Sequence, residues 1–347
     1  MNVLFYNTDT SLIRNSFIIQ SLRSNMCNII LQKRYSGIKG KLFILLYTLQ
    51  LLYKRYDVIY LGMGSHPYVL IVKIPALIRN KKIFFDAFVS VYNTEIEDRG
   101  RHSYKSFKAK YLWQLDKYAC LLSDYIFLDT HSHISYFKHE FKLENSCFKR
   151  VLIGSYENKY INTSKKLTFD ILFFGNFIPL QGVEVIVESA GMVDQSINFH
   201  LIGNGQTFVQ CNELLNNLEL KNLKFLGSLP HDQVMKYVAS CNIGLGIFGK
   251  TEKAKRVIPH KAYEVIASSK PLLTGDSTAI REIFKPGKNC LTCEMGSPHS
   301  LAKVITDSIS DDQKLNKVAV NGFELYKKIC TPQKIGADLL NYLKKPI

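Results

Sequence analysis

The sequence predicts an α/β protein built from two doubly wound, parallel-sheet domains in tandem, and three observations carry that prediction. Short apolar runs recur with helical stretches between them, roughly 20 to 40 residues apart. Few of these runs alternate with polar positions, as expected of strands covered on both faces. They also form two sets of six, separated by the polar run Glu157 to Thr168. At 347 residues the chain is long enough for two domains.

In the first half the runs are Val3–Tyr6, Asn28–Leu31, Val58–Leu61, Ile83–Phe85, Tyr125–Leu128 and Val151–Ile153. Between the second and third lies Gly40 to Arg55, an apolar helix with cations at both ends. It is too short to span a bilayer, and suits burial against the sheet or contact with a membrane surface. The third run leads into the small-residue loop Gly62 to Pro67. The fourth leads into a polar segment with Asp86, Ser90, Tyr92, Asp98 and Arg99. Ligands bind beyond the carboxyl ends of strands in such sheets. Asp86 directly follows its apolar run, so its carboxylate is expected at the rim of a cleft, unless it caps the next segment. The fifth run ends in Asp129-Thr130-His131 at the same edge.

In the second half the runs are Ile171–Phe174, Phe199–Ile202, Leu223–Leu226, Ile243–Ile247, Leu272–Thr274 and Cys290–Cys293. The first turns through a loop opened by Gly175 and closed by Gly182, the second through Gly203 and Gly205, the third through Gly227. Neither of the first two loops matches a dinucleotide or Walker pattern. Lys253 to Asp276 then crowds Lys253, Lys255, Arg256, His260 and Lys261 ahead of a short amphipathic helix containing Glu264. Pro259 suits the first position of that helix, whose N-terminus offers free N–H groups to an anion. A solvated basic loop is the alternative.

The formal net charge is +16, spread along the chain rather than gathered in a tail. It fits anionic small substrates or an anionic membrane surface. Nucleic acid fits less well, because interleaved aromatics and a compact basic stripe are lacking. No run of eighteen apolar residues occurs, and the start of the chain lacks the pattern of a signal peptide, which together suggest a cytoplasmic protein. The eight cysteines are scattered, mostly in apolar segments, and suit reduced thiols. Cys290 and Cys293 form a lone C-x-x-C inside an apolar run and read as structural.

Taken in order, these loops make the second half similar to the retaining glycosyltransferases of family 4, the glycosyl transferases group 1, which have the GT-B fold. The C-terminal domain of that family commonly reads strand-Gly-Arg-loop-Lys-Gly-helix, a strand ending in Gly-x-Gly, a strand ending in Gly, then Glu-x7-Glu. A proline-led strand and a Glu-Ile/Val-hydrophobic-Gly segment follow. Here stand Gly175 to Gly182, Gly203-Asn204-Gly205, Phe225-Leu226-Gly227, Glu264 followed by Ala267 and Pro271, and Glu282 through Gly287. The resemblance covers about Asp170 to Leu301. The first half is similar only in strand rhythm and in Asp124 to Thr130, Gly154 and Glu157.

The departures are informative. The Arg and Lys that grip the donor diphosphate in the family are here Asn176 and Gln181, and the first Glu of the pair falls on Arg256. A buried diphosphate still requires cations, so the resemblance implies that they have moved to Lys253, Lys255, Arg256 and Lys261. Pro259 to Glu264 is similar to a Pro-x-Lys-x-x-Glu arrangement of some members. The glycine-rich loop usual after the first strand is missing from Tyr6 to Thr10.

The resemblance implies two Rossmann-like domains facing across a cleft: residues 1–163 on the acceptor side, joined by a returning helix at 331–347, and residues 168–330 on the donor side. It implies a retaining, metal-independent transfer of a sugar from a nucleotide-diphosphate sugar to a hydroxyl of a lipid-linked glycan, in surface polysaccharide or lipopolysaccharide-type synthesis. The nucleotide sugar is then a substrate, no cofactor is needed, and the partner surface is the cytoplasmic face of the inner membrane. Gly175, Asn176, Gln181, Gly203, Gly227, Lys255, Arg256, Lys261 and Glu264 would bind the donor, with Glu264 on the ribose hydroxyls. Asp86 and Asp98 are the candidates for the catalytic side chain near the donor sugar. A nucleotide-sugar epimerase of the same fold, or an inactive nucleotide- or glycan-binding homologue, are the competing readings.

Overall fold

In the computed structural model, which describes residues 1–33, 37–160 and 168–344, the apolar runs assemble into two six-stranded sheets. The first half runs β1 (Asn2–Thr8), α1 (Ile13–Arg23), β2 (Asn28–Lys33), α2 (Gly37–Gln50), β3 (Val58–Leu61), α3 (His66–Ile78), β4 (Ile83–Asp86), α4 (Phe107–Leu121), β5 (Tyr125–Leu128), α5 (His131–Phe141) and β6 (Phe148–Arg150). Then follow β7 (Phe169–Phe174), α6 (Val183–Ala190), β8 (Ile197–Ile202), α7 (Phe208–Asn217), β9 (Leu223–Gly227), α8 (His231–Ser240), β10 (Ile243–Leu245), α9 (His260–Ala267), β11 (Leu272–Gly275), α10 (Thr278–Ile283), β12 (Leu291–Cys293), α11 (Pro298–Ile309), α12 (Asp312–Leu325) and α13 (Pro332–Lys344).

The chain divides into one unit of Met1–Ile153 with the terminal segment from Pro332, and a second unit of Gly154–Thr331. The division falls upstream of the polar run Glu157 to Thr168, of which 161–167 lie outside the described residues. Hydrogen bonds explain this. The Ser155 N–H donates to the Cys330 carbonyl at 3.1 Å, and the Asn158 amide donates to the Met235 carbonyl and to Ser268 Oγ, both at 3.0 Å.

All pairings in the first sheet are parallel, in the order β2-β1-β3-β4-β5-β6. One apolar layer under α2 to α5 includes Leu61, Val69, Val72, Phe85, Ala119 and Phe137. The other face is covered by α1 and α13 through Phe17, Leu22, Ile335 and Leu339. α13 lies so close to α1 that a Cβ at Gly336 would stand 2.1 Å from the Ser21 carbonyl oxygen.

The sixth strand is a correction to the sequence reading. It is Phe148–Arg150, and Val151–Ile153 lies beyond its end. The Arg14 guanidinium donates to the carbonyls of Leu152 at 2.6 Å and Val151 at 3.2 Å. A side chain takes the acceptors that a ladder would need. The apolar helix expected at Gly40 to Arg55 is likewise α2, ending at Gln50 before a turn. No helix among the described residues is long and apolar enough to cross a membrane.

The second sheet is also parallel, in the order β12-β11-β10-β7-β8-β9. β7 is central: the chain moves outward to β8 and β9, then returns to its other side for β10, β11 and β12. The order therefore reverses between β7 and β10, which opens a crevice at their carboxyl ends. Phe173, Leu201, Val187, Leu245 and Leu273 fill the layers beneath.

Candidate functional site

The glycines just after β7 and β8 and at the end of β9 form a laced rim at the carboxyl edge of the second sheet. The Gly175 N–H donates to the Ile202 carbonyl at 2.9 Å, and the Gly203 N–H to the Gly227 carbonyl at 2.8 Å. At Gly203 φ is +141°, and a Cβ there would lie 1.9 Å from the Gly175 carbonyl oxygen. No other residue fits this close approach without moving the neighbouring loop. The loop after β10 joins the rim where Phe248 N–H donates to the Gln181 carbonyl at 3.0 Å.

Lys261 rises into the crevice between β7 and β10. Its ammonium donates to Gln181 Oε1 at 2.5 Å and to the Gly246 carbonyl at 3.3 Å. It lies 3.5 Å from the centroid of the Phe173 ring, a cation–π contact on the floor of the site. A Cβ at Gly175 would stand 3.2 Å from the ammonium nitrogen, so the glycine lets this charge reach the rim. Lys261 is only 5% exposed. Burial pushes its pKa well below that of an ordinary lysine, and the charge of Glu264 offsets only part of that. Burial thus disfavours the ammonium form until an anion supplies counter-charge.

One turn along α9, Glu264 is clamped by two histidines. Its Oε1 lies 2.6 Å from His231 Nε2 and its Oε2 3.2 Å from His260 Nδ1. Burial raises the pKa of this carboxyl, but His260 and His231 outweigh burial and bring it down to about 2. His231 is shifted up, chiefly by its hydrogen bond to Glu264. α9 begins at His260 with Pro259 as its N-cap, and no side chain caps its first N–H groups. A helix N-terminus, a buried ammonium and an ionised carboxylate therefore face one crevice.

The remaining expected donor contacts are placed less uniformly. Gln181, standing where the resemblance has a cation, supplies the acceptor that holds Lys261. Asn176 is exposed on the loop after β7, and Gly227 is half-buried with open space where a Cβ would stand. Lys255 turns to Glu252 Oε1 at 2.6 Å, and Arg256 Nε donates to the Glu252 carbonyl at 2.8 Å. The cation-rich stretch is therefore not a single cradle: Lys261 is the cation held against the glycine rim, while Lys255 is half exposed on the preceding turn.

In the first unit, the expectation for Asp86 is overturned. It is 0% exposed rather than at a rim. Arg14 Nε donates to its Oδ2 at 2.9 Å, Arg14 Nη2 to its Oδ1 at 3.3 Å and Tyr60 Oη to Oδ2 at 2.9 Å. Burial opposes the charge on Arg14, yet Asp86 more than restores it and the pKa is raised. Asp86 is thus the acceptor of a buried network that ties β4 to α1 and, through Arg14, to Val151 and Leu152. Asp98 closes the π-helical turn Asn93–Asp98 and is 5% exposed. Asp129 pairs with His133 Nδ1 at 2.8 Å. Asp116 accepts from Ser90 Oγ at 2.7 Å and lies 3.3 Å from His66, which burial holds down to about 4.

Sequence reasoning missed the two histidines as partners of Glu264. His260 stands four residues before it on one helical face, a spacing legible in the chain. His231 comes from the start of α8, thirty-three residues away, and only the sheet order brings it there. Cys290 and Cys293 are free and buried, each thiol pushed by burial up to about 12. Among the described residues no group of three His, Cys, Asp or Glu side chains is placed to hold a metal ion.

Comparison with known proteins bears on this geometry. Residues 156–325 match the family described as Glycosyl transferases group 1. An uncharacterized glycosyltransferase of Methanocaldococcus jannaschii, MJ1178, is 27% identical over 223 residues, 64% of this chain; the match spans 59% of that relative's length. Among solved structures, Anabaena Alr3699/HepE in complex with UDP-glucose superposes with a TM-score of 0.76, 14% identity and 99% coverage of both chains. The lipopolysaccharide outer core galactosyltransferase WaaB gives 0.70 at 13% identity over 98% of both chains. Sucrose-phosphate synthase of Thermosynechococcus elongatus gives 0.75 at 11% identity, over 98% of this chain and 97% of that one. At such identities these likenesses establish the fold. The match to the glycosyl transferases group 1 lies in residues 156–325, and the two parallel-sheet units have the GT-B fold.

Proposed function

We propose that this protein is a retaining glycosyltransferase of the family 4 type that moves a sugar from a nucleotide-diphosphate sugar to a hydroxyl of a lipid-linked glycan. The observation that carries the reading is Lys261, a buried ammonium held by Gln181 beneath Gly175 at the switch point of the second sheet. A diphosphate at the glycine rim would supply the counter-charge this ammonium lacks. As the bond from the anomeric carbon to the diphosphate breaks, negative charge builds on the leaving phosphate. Lys261 and the N–H groups of α9 stand ready to stabilise it without reorganisation. These groups would take the part that a metal ion plays in other transferases. Glu264, kept ionised and oriented by two histidines, would accept the ribose hydroxyls.

The nucleoside diphosphate leaves, the acceptor oxygen takes its place on the same face of the sugar, and the acceptor proton passes to the released diphosphate or to solvent. The complex of HepE with UDP-glucose makes a uridine diphosphate sugar the first donor to test. The likeness to WaaB favours a glycolipid acceptor of the lipopolysaccharide type at the cytoplasmic face of a membrane. The test is incubation with a panel of nucleotide sugars, with and without a glycolipid acceptor, following release of nucleoside diphosphate and the anomeric configuration of the product. An inverted product excludes the retaining assignment. Absence of both turnover and nucleotide binding excludes the donor site.

A further inference from the structure

We infer that the outer face of α3, continued onto the end of α2 and flanked by α4, is a surface on which this chain docks to an anionic lipid bilayer. On α3, Val69, Val72 and Ala76 face the sheet and are buried. The opposite side carries Leu70, Ile71, Ile74, Leu77 and Ile78, 37% to 68% exposed. Their spacing of one, four, seven and eight residues places them on one helical stripe. α2 carries the same pattern, with Leu46 and Leu49 exposed by 44% and 51% and Tyr53 just beyond it by 68%. The Arg79 guanidinium at the end of α3 donates to the Leu52 carbonyl, which holds the ends of the two helices side by side. Single exposed leucines are ordinary on a protein surface; a continuous stripe across neighbouring helices is not.

The charge around the stripe selects the partner. Between Lys54 and Phe85 the sequence has six lysines and arginines and one carboxylate, Asp57. That carboxylate is engaged by the Asn2 N–H at 2.6 Å. α4 adds Lys108, Lys110 and Lys117, while its Asp116 is buried and accepts from Ser90. Tyr111 and Tyr118 of α4 are 48% and 49% exposed, the amphipathic rings that suit a headgroup boundary. An apolar stripe rimmed by cations is complementary to an anionic leaflet. A second copy of the chain would oppose two like-charged rims on the same stripe. No helix among the described residues is long and apolar enough to cross a bilayer; the contact inferred is with the membrane surface.

This inference deepens the glycolipid-acceptor reading proposed above, since it names the surface that would bring the chain to its acceptor, but its geometry does not depend on donor binding. The test is co-sedimentation of the full chain with vesicles of phosphatidylcholine alone and with added phosphatidylglycerol, in low and high salt. The variant Ile74→Glu/Leu77→Glu changes two exposed positions. Val320→Glu makes a similar change at a 59% exposed site on α12. Circular dichroism and thermal melting check that each variant folds. The wild type and Val320→Glu are expected to bind the anionic vesicles and to be released by salt. The double variant should bind at least about tenfold more weakly, since one charge near an anionic surface already changes binding about fivefold. Wild-type protein that stays in the supernatant, or a double variant that binds as well as wild type, overturns the inference. So does a wild-type dimer dispersed by the double substitution without any vesicle binding. UDP affinity is measured on the same samples: its absence in the wild type defeats the donor site while leaving the docking surface standing.

Discussion

The ammonium of Lys261 and the side-chain oxygen of Gln181 meet at 2.5 Å, both residues more than nine-tenths buried, at the point where the strand order of the second sheet reverses. The contact puts a cation under the glycine rim while leaving its charge under-compensated, and from it follows the first expected outcome. Burial depresses the pKa of Lys261 in the folded chain, so between that value and its ordinary value the unfolded chain binds the extra proton. Stability gained from this residue therefore rises with pH across that window. Urea unfolding of wild type and Lys261→Met at several pH values should show the wild type gaining on the variant as pH increases toward 10.5. A constant difference would mean that Lys261 is not desolvated. Binding of a nucleoside diphosphate should reverse the depression, with proton uptake visible by calorimetry in buffers of different ionisation enthalpy. Lys261→Met should abolish that uptake.

Glu264→Gln should weaken binding of a nucleoside diphosphate by roughly tenfold to a hundredfold, the range for hydrogen bonds to a charged group. Inorganic pyrophosphate should bind the variant nearly as it binds wild type, because the ribose contact is absent there. Equal loss for both ligands would place Glu264 at the phosphates instead. The same variant should lose an acid-side component of stability. The wild-type carboxyl is held near 2 against an ordinary 4.5, so its contribution is present above 4.5 and disappears as pH falls through about 2.

His231 is shifted upward by Glu264, so its contribution runs the other way. It is present in full below 6.5 and fades as pH rises through the raised value. Its side chain is 61% exposed, so solvent screens the pair and the effect on global stability is small. The larger effect of His231→Ala should be on orientation. Donor affinity should fall more at pH 6 than at a pH above the raised value of His231, and titration by fluorescence or calorimetry at the two pH values checks this.

The buried pair Arg14–Asp86 should behave as structure, not as chemistry. Asp86→Asn leaves a guanidinium at 4% exposure without its counter-charge, which costs about 3 to 5 kcal/mol when one partner of a buried pair is removed. The double substitution Arg14→Met/Asp86→Leu should cost less than Asp86→Asn alone. Thermal unfolding distinguishes the cases. If Asp86→Asn melts like wild type and has lost turnover, Asp86 touches the substrate after all.

The first-unit sheet shows why some site residues resist sequence reading. Asp86 follows three apolar residues, the signature of a polar group at a strand's carboxyl end. Yet Arg14, seventy-two residues earlier, reaches it from α1. Asn15, next to Arg14, donates to the Asp9 and Met63 carbonyls and accepts from the Met63 N–H at 2.8 Å, filling the reversal between β1 and β3. Nothing in the local pattern around Asp86 announces either residue.

Local patterning by itself determined eleven of the twelve strands, the glycines at the carboxyl ends of the second sheet, and the placing of Lys261 and Glu264 on one face of a short helix. Each depends on neighbours within a turn or a pleat, where apolar period and positive-φ requirements act directly. Only the tertiary structure decided which cation meets the glycine rim, that His231 joins His260 on Glu264, and that Asp86 is sealed beneath Arg14 and Tyr60. Those pairings join elements that the sheet order brings together across 26 to 80 residues. Their energies depend on burial that no single segment has until both sheets are complete.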